Sequence, residues 1–312
     1  MSRSVITYRI TNDARKIKGL SKNGFSQTSR LRTILNMKGT SNCTYCVDKR
    51  NGLKDQFLDL NMSILDKNVK NQSLMTRGGK IFNSFRPKLQ NRHTILLSII
   101  MESFDKIMAE NGMTYFLYGG ALIGSFRHHG LIPWDDDADV MVSFSHRANL
   151  MRLMSFVNTD LAINFDPIHY WKLYHKDGET IPGVNWKWPF LDIFFYNQNL
   201  THIWDMSPQY YYFIFPKSAI FPLRRRPFMS LYLFAPNDSK TVLSRGYNIS
   251  MCDSGTYVHR WERKIRETRV PCSRLYGAFP FVKRVFMNGG CNETLWYQGN
   301  VLRVFFDWGV LC

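Results

Sequence analysis

Apolar side chains recur every three or four residues between Thr94 and Glu110, which predicts a helix with one apolar face. We expect six residues to form that face: Leu96, Ile99, Ile100, Phe104, Ile107 and Met108. Asn111-Gly112 follows directly and should end the helix, because glycine readily adopts the left-handed conformation found at helix ends. The spacing of apolar residues from His146 to Asn158 predicts a further helix.

Between these helices the chain alternates short apolar runs with breaks. Tyr115 to Tyr118 is an aromatic run that predicts a strand, and Gly119-Gly120 interrupts it. Residues 121–127 then predict a short helix, residues 128–130 a turn, and an apolar strand follows through Val140-Met141-Val142. Farther along, residues 190–196 are apolar or aromatic at six of seven positions, which is typical of a buried central strand.

Four carboxylates stand at the entrance to the strand through Val140, in the run Asp135-Asp136-Asp137-Ala138-Asp139. Because successive side chains of a strand point to opposite faces, Asp135, Asp137 and Asp139 should share one face. Carboxylates this close repel one another, and a hard divalent cation such as Mg²⁺ or Mn²⁺ relieves that repulsion. The run therefore predicts a metal site, with an exposed acidic turn as the alternative.

Asp192 is the single charged residue in the strand predicted at residues 190–196. A buried lone carboxylate needs a partner, and we expect that partner to be the metal held by the acidic run. The alternative is a buried arginine or a set of backbone donors. Gly119 and Gly120 lack a Cβ atom, so a phosphate chain could approach the backbone N–H groups at the start of the helix that follows them.

Positive charge is distributed unevenly along the 312 residues. The formal net charge is +17, yet residues 1–93 contain 19 lysines and arginines against 5 acidic residues, a balance of +14 that leaves +3 for residues 94–312. The body of the protein is thus nearly neutral, which argues against nucleic acid as a partner. Residues 1–93 show no clear apolar period, and we interpret them as a partly ordered basic segment that acts as a solvated stem, with an arm that binds nucleic acid as the alternative.

Sequons and cysteines favour the secretory pathway. Seven Asn-X-Ser/Thr sequons occur where the composition alone would give roughly three. They begin at Asn42, Asn61, Asn71, Asn199, Asn237, Asn248 and Asn292. The six cysteines allow 15 pairings, and structural disulfides, free thiols and a zinc site using Cys43 and Cys46 are all open. No stretch reaches the roughly 18 apolar residues of a membrane span, and no signal peptide is evident.

The segment from Tyr118 to Val140 resembles the signature of the LicD family, which includes fukutin and the fukutin-related protein, within the nucleotidyltransferase superfamily. The similar residues are Tyr-Gly-Gly-Ala-Leu-Ile-Gly-Ser-Phe-Arg-His at 118–128 and Gly-Leu-Ile-Pro-Trp-Asp-Asp-Asp-Ala-Asp-Val at 130–140. Leu191-Asp192-Ile193-Phe194 resembles the family's third-carboxylate strand, and residues 220–223 with 227–228 resemble its Phe-Pro element. The order at residues 243–247 departs from the family, which tends to place tyrosine before glycine.

The resemblance implies an α+β fold, with a nucleotidyltransferase-like mixed sheet flanked by helices. We expect three parts: the basic, partly ordered segment at residues 1–93, a catalytic domain at residues 94–250, and a C-terminal extension at residues 251–312 packed on that domain. A stretch rich in arginine and lysine at residues 260–269 of the extension, around Trp261, is interpreted as the solvated face of a helix, with an acceptor surface as the alternative.

The family implies transfer of a phospho-substituent, such as phosphocholine or ribitol phosphate, from a CDP-activated donor to a glycan, with release of CMP. Asp137, Asp139 and Asp192 would act as catalytic residues and hold one or two Mg²⁺ or Mn²⁺ ions, and Asp192 is the expected base for the acceptor hydroxyl. Six further residues are expected to contact the substrate: Gly119, Gly120, Arg127, Lys172, Asp135 and Asp136.

These further residues have different expected roles. Arg127 would clamp a phosphate bidentately and Lys172 would supply a point charge, with a structural ion pair as the alternative for each. Asp135 and Asp136 would either bind the metal or support its ligands. His128 and His129 are expected to be turn or packing residues.

The expected partners are a CDP-linked donor and a glycan or glycoprotein acceptor, with no nucleic acid. Two other functions fit the same pattern: a template-independent nucleotidyltransferase acting on RNA, and a catalytically inactive homologue that binds a glycan or a partner protein. The sequons favour the lumen of the Golgi or the endoplasmic reticulum, with membrane association through an N-terminal anchor absent from this sequence or through a partner.

Overall fold

A mixed β-sheet covered by helices forms the core of the protein. The computed structural model of the chain describes residues 62–75, 79–156, 160–166, 170–310 and 312. Most of the expected N-terminal segment lies outside the described residues, and so do Asn42, Cys43, Cys46 and Asn61, on which the zinc alternative and two of the sequons depend.

Six α-helices lie within the described residues. They are α1 (Met62–Met75), α2 (Asn91–Glu110), α3 (Gly119–His128), α4 (Arg147–Phe156), α5 (Lys217–Ile220) and α6 (Ser239–Leu243). The helices predicted at residues 94–110, 121–127 and 146–158 are found as α2, α3 and α4. Among the described helices none combines the length and the apolar character that crossing a membrane would require.

The central sheet has seven strands. They are β1 (Tyr115–Leu117), β2 (Ala138–Ser143), β3 (Leu161–Asn164), β4 (Trp171–Thr180), β5 (Lys187–Gln198), β6 (His202–Asp205) and β7 (Ile214–Pro216). Their order is β1-β2-β5-β4-β3, with β6 paired to β5 and β7 paired to β6. Within the sheet β2 and β5 run parallel and the other pairs run antiparallel. The α+β class with a mixed sheet is therefore confirmed.

Helix α2 packs on β4 and β5, and its buried face differs in part from the predicted one. The buried residues are His93, Leu97, Ile100, Met101, Phe104 and Met108. Ile99 was expected in this face but is 37% exposed. The helix is turned so that His93 points inward, where its Nε2 lies 3.1 Å from Glu179 Oε1. A paired histidine can occupy a core position that an apolar pattern does not reveal.

Residues before the expected domain boundary at position 93 also pack into this core. Phe82, Phe85 and Leu89 are buried in it, and the ring of Phe85 meets the ring of Trp134 edge-on at 5.2 Å. The boundary itself falls inside α2, which begins at Asn91. Trp134, which directly precedes the acidic run, is thus packed against a residue from before position 93.

The C-terminal part consists of short antiparallel strands. They are β8 (Arg224–Phe228) with β9 (Leu231–Ala235), β10 (Met251–Asp253) with β13 (Arg269–Pro271), β11 (Tyr257–Val258) with β12 (Arg263–Lys264), and a three-stranded sheet of β14 (Phe281–Met287), β15 (Gly290–Tyr297) and β16 (Asn300–Trp308). The helix face predicted at residues 260–269 is wrong, because β11 and β12 form a hairpin around the turn His259–Trp261.

Buried ion pairs and two disulfides hold the extension in place. Arg226 of β8 donates to Glu293 of β15 at 2.7 Å and to Asp307 of β16 at 2.9 Å. His129, at the end of α3, lies 2.9 Å from the same glutamate. The disulfides join Cys252 to Cys272 and Cys291 to Cys312, which are two of the pairings that the sequence left open.

Candidate active site

Three charged side chains lie side by side on neighbouring strands of the central sheet. β2 runs parallel to β5 and places Asp139 opposite Asp192, while β4 runs antiparallel to β5 and places Lys172 opposite Asp192. Lys172 Nζ lies 2.8 Å and 3.0 Å from the two carboxylate oxygens of Asp192. The aspartate that is isolated in the sequence therefore has a cationic partner on the adjacent strand.

The first three residues of the acidic run lie in a loop, and strand β2 begins only at Ala138. Asp137 and Asp139 nevertheless converge with Asp192, and their carboxylate oxygens lie within 4.8 Å of one another. Three carboxylates at this separation, two of them buried and that of Asp139 partly buried, could hold a metal ion. The structure thus brings together the three residues that the sequence singled out, although Asp137 precedes the strand on which we placed it.

Burial changes the acidity of these three groups. Burial, together with the carboxylate of Asp192, raises the pKa of Asp139 to about 7. The pKa of Asp137 is raised well above its usual range by burial, against the opposing effect of His259. Burial also raises the pKa of Asp192, although Lys172 opposes the rise. A divalent cation among these carboxylates would favour their ionised forms, so the donor set suits a cation.

Asp136 belongs to the same run but faces other groups. His259 Nδ1 lies 3.0 Å from its Oδ1, and the backbone N–H of Arg260 donates to its Oδ2 at 3.1 Å. Lys88 Nζ lies 3.7 Å from Oδ1. Although burial alone would raise the pKa of Asp136, its hydrogen bond with His259 and the charges of His259 and Lys88 lower it.

The ring of His259 links Asp136 to the carboxylates already described. Its second nitrogen, Nε2, lies 3.4 Å from Asp137 Oδ2. Burial alone would lower the pKa of His259, but Asp137 and Asp136 raise it to about 10. Oxygen and nitrogen atoms of Asp136, Asp137 and His259 form a second group that is close enough to hold a metal ion.

The glycine pair begins helix α3 directly against the carboxylates. The backbone N–H of Gly120 donates to Asp139 Oδ2 at 2.8 Å. A Cβ atom on Gly120 would lie 2.7 Å from Asp135 Oδ2, and one on Gly119 would lie 2.8 Å from Asp139 Oδ2. Both positions therefore require glycine, because the helix approaches the acidic run closely. The phosphate contact of these glycines stays a prediction.

A cavity of about 280 Å³ opens beside Asp139 and the glycine pair. Aromatic and aliphatic side chains form most of its wall: Tyr118, Leu122, Phe194, Tyr210, Phe213, Phe215, Val242, Leu243 and Tyr247. Residues 243–247, where the order departs from the family pattern, thus contribute to this wall. A carboxylate and two glycines among aromatic rings suit a ligand with both a charged and a flat or apolar part.

The family described as LicD/FKTN/FKRP, nucleotidyltransferase domain, matches residues 112–238, which include β1, the glycine pair, the acidic run and β5. The chain contains a nucleotidyltransferase domain of the LicD family. Membership in this family points to a transferase.

Three relatives share parts of the sequence. Uncharacterized proteins of Rickettsia typhi and Rickettsia prowazekii are each 23% identical to the chain, over 52% and 51% of its length and 48% and 57% of theirs. The lipopolysaccharide cholinephosphotransferase LicD of Haemophilus influenzae is 38% identical over 66 residues, 21% of this chain and 23% of that protein. The chain thus spans about half the length of the Rickettsia relatives.

Two residues of the LicD domain that we expect to bind substrate have well-defined partners within the protein. Arg127 is buried and its Nη1 donates to the carbonyl of Met251 at 2.8 Å, close to the sulfurs of Cys252 and Cys272. Its Nη1 atom is thereby engaged with the extension, whereas we expected it to bind phosphate. Lys172, which we expect to supply a point charge, forms an ion pair with Asp192, and its contact with substrate stays a prediction.

Sequence reasoning missed two groups at the site, and both lie outside the matched LicD segment. Lys88 comes from the part assigned to a solvated stem, and His259 comes from the stretch interpreted as a helix face. His128 and His129 are buried packing residues as expected, with His128 Nδ1 lying 2.7 Å from the carbonyl of Pro280. The one available signal for His259 was that a buried Asp136 needs a cationic partner.

Proposed function

We propose that this protein is a metal-dependent phosphotransferase that moves a phospho-substituent from a CDP-activated donor to a hydroxyl group of a glycan and releases CMP. The observation that carries the proposal is the convergence of Asp137, Asp139 and Asp192 beside a cavity with aromatic walls. The LicD-family domain supports a reaction of this class.

Asp137, Asp139 and Asp192 would hold Mg²⁺ or Mn²⁺, because carboxylate oxygens are ligands that these ions prefer. A bound ion would neutralise charge on the donor diphosphate and on the departing CMP. The residues present fit such an ion, since three carboxylates converge here while two basic side chains face them, Lys172 beside Asp192 and His259 beside Asp137.

The protein's own groups position these ligands and move the proton. Gly120 N–H holds Asp139, and Lys172 holds both oxygens of Asp192. In the transfer, the acceptor hydroxyl oxygen would bond to the phosphorus that carries the substituent, and the phosphorus–oxygen bond to CMP would break. Asp192 is our proposed acceptor for the hydroxyl proton, because Lys172 favours its ionised form.

The aromatic wall of the cavity indicates which chemical groups of a donor could bind there. Aromatic faces bind both a flat base and a methylated ammonium group, so the wall around Phe194 and Tyr210 suits cytosine or a choline head. The Haemophilus relative is named a cholinephosphotransferase, which makes phosphocholine the first substituent to test. Ribitol phosphate and glycerol phosphate are the alternatives.

A screen of CDP-choline, CDP-ribitol and CDP-glycerol for CMP release, with Mg²⁺ or Mn²⁺ and a panel of glycan acceptors, tests the proposal. We expect acceptor-dependent release from at least one donor. Incorporation of labelled nucleotide into RNA would instead support a nucleotidyltransferase acting on RNA. Failure to bind any CDP-linked ligand in calorimetry would support an inactive binding homologue.

We further propose that the protein works in the lumen of the secretory pathway, on a glycan or glycoprotein. Two disulfides fit an oxidising compartment. The sequon residues Asn199 and Asn248 are exposed, whereas Asn237 accepts a hydrogen bond from Arg224 at 2.7 Å and donates to the carbonyl of Ser218.

We therefore expect glycans at Asn199 and Asn248 and none at Asn237. Peptide mass spectrometry before and after glycosidase treatment of the protein expressed in eukaryotic cells measures this. Reduced cysteines and unmodified sequons in a cytosolic protein would contradict the proposed compartment.

A further inference from the structure

We propose that His259 is a positioning residue that fixes the carboxylate of Asp137 for metal binding, with Asp136 as its anchor. The inference rests on the proposed metal site and adds a residue from the C-terminal extension, beyond the LicD match at residues 112–238. It assigns to the extension a direct part in the site.

The two nitrogens of the His259 ring each face one carboxylate of the acidic run. Nδ1 lies 3.0 Å from Asp136 Oδ1 and Nε2 lies 3.4 Å from Asp137 Oδ2. The two ring nitrogens have a fixed separation, so the ring can hold two neighbouring carboxylates in one orientation. Asp136 and Asp137 are adjacent in the chain and need such a bridge because both are buried.

The ring is held from several sides and has little freedom to turn. The backbone N–H of Arg260 donates to the second oxygen of Asp136, so the same turn engages both oxygens of that carboxylate. The ring also meets the ring of Phe190 edge-on at 5.7 Å. The anchor is therefore a pair of hydrogen bonds from one turn, reinforced by aromatic packing.

The hairpin that carries His259 is itself fastened to the central domain. Glu262, directly after the turn, accepts hydrogen bonds from Tyr257 Oη at 3.0 Å and from Trp186 Nε1 at 3.3 Å. Lys88 Nζ donates to the carbonyl of Tyr257 at 3.1 Å. Trp186 and Lys88 thus hold the hairpin at two points, which defines the position of the turn relative to the acidic run.

Orientation matters for Asp137 because it lies among other carboxylates that repel it. The contact of His259 Nε2 with Asp137 Oδ2 opposes rotation of this carboxylate away from Asp139 and Asp192, with which it converges. Groups that hold metal ligands in this way typically change metal affinity by about 10- to 100-fold when removed.

Direct binding of a metal by His259 is the competing role, since its nitrogens and the oxygens of Asp136 and Asp137 are close enough. Asp136 is already bonded to the backbone N–H of Arg260, and the ammonium of Lys88 lies 3.7 Å away. A cation placed there would face that ammonium at short range, which disfavours it. Positioning is therefore the role that the surrounding charges support.

Titration of Mn²⁺ into the purified full chain, with no donor present, tests this role. Gln at position 259 can place its amide donor near Asp137, whereas Asn reaches only Asp136. We expect His259→Asn to weaken Mn²⁺ binding by about 10- to 100-fold and His259→Gln to weaken it less. Asp136→Asn should also weaken binding although it removes no proposed ligand. His146→Ala, at a partly exposed histidine after β2, is the matched control and should bind as the wild type does.

Thermal unfolding of each variant establishes that it is folded before its affinity is compared. Equal Mn²⁺ affinity in wild type, His259→Asn and Asp136→Asn would overturn the inference. So would a directly coordinated nitrogen in the pulsed EPR spectrum of bound Mn²⁺, or a wild type that binds no Mn²⁺. If affinity depends on His259 while no CDP-linked donor releases CMP, the inference stands and the proposed transferase function fails.

Discussion

Lys172 and Asp192 face each other across β4 and β5 with Nζ–Oδ distances of 2.8 Å and 3.0 Å, and both side chains are largely buried. The ring of Phe190 lies 3.7 Å from the same ammonium. Removing one partner of such a pair is costly because the other charge stays buried without compensation. The pair therefore links the charge balance of the site to the stability of the fold.

Lys172→Met should destabilise the metal-free protein by about 3 to 5 kcal/mol, because it leaves Asp192 unpaired. Mg²⁺ should recover part of this loss, since the cation can take over the role of the ammonium. Urea unfolding in EDTA and in excess Mg²⁺ measures both effects. Lys106→Met, at a lysine that is 72% exposed, is the control and should change stability by at most about 0.5 kcal/mol. A Lys172→Met protein that Mg²⁺ does not stabilise would speak against metal binding at Asp192.

Gly120→Ala should weaken divalent cation binding by about tenfold or more. The new methyl group would lie 2.7 Å from Asp135 Oδ2 and 3.2 Å from Asp139 Oδ2, so the carboxylates must move. Gly277→Ala is the control, because its methyl group would meet only the end of the Gln72 side chain at 3.3 Å. Calorimetric titration with Mn²⁺ compares the two, and similar affinities would show that the close approach at Gly120 is not needed.

The local elements around the site could be predicted from the sequence because their signals are local. Apolar spacing located α2 and α4, and the glycine pair and the acidic run located the start of α3 and the entrance to β2. The convergence of Asp139 with Asp192 was inferred from chemistry, since a buried carboxylate needs a partner. The parallel register of β2 and β5 then accounts for it.

The contributions of distant segments could not be predicted in the same way. His259 and Lys88 reach Asp136 across 123 and 48 positions of the chain, and neither lies in a pattern with a recognisable period. The partner of Arg127 could not be predicted either, because its contact with Met251 depends on how the C-terminal extension packs on the LicD domain. Charge-rich stretches were interpreted as solvated surface since composition cannot show which cations face a buried acid.

Stability should fall as the pH falls, because the interface between the extension and the LicD domain contains an ionised glutamate and a neutral histidine. Burial alone would raise the pKa of Glu293, but Arg226, His129 and Arg284 hold it far below its usual range. A lowered carboxyl pKa contributes stability that is present above the unfolded pKa and is lost as the pH falls. Burial lowers the pKa of His129 to about 4 from an ordinary value of 6.5, so acid favours the unfolded state there as well.

Urea unfolding between pH 7 and pH 3 measures this dependence. We predict a decline that begins near pH 6.5 through His129 and steepens below about pH 4.5 through Glu293. Glu293→Gln should cost about 3 to 5 kcal/mol at pH 7 and should flatten the acid part of the profile. A variant profile parallel to that of the wild type would contradict the assignment of Glu293.

The two disulfides should differ in their effect on the site. They join residues 20 and 21 positions apart, so each should contribute about 3 kcal/mol to stability. Cys252 lies in β10 beside Asp253, whose carbonyl accepts a hydrogen bond from Trp134 at 2.8 Å. Replacing Cys252 and Cys272 with serine should therefore weaken Mn²⁺ binding, whereas replacing Cys291 and Cys312 should lower stability alone. Equal metal affinity in both double variants would refute this difference.

CMP release from a CDP-linked donor, measured with and without a divalent cation, tests the central claim most directly. Asp139→Asn keeps the size of the side chain but removes its charge, and Asp177→Asn, at an aspartate that is 85% exposed, is the matched control. We predict release that requires Mg²⁺ or Mn²⁺, falls by about 10³-fold or more in Asp139→Asn, and is unchanged in Asp177→Asn. Release that persists in EDTA, or that is undiminished in Asp139→Asn, would contradict the account.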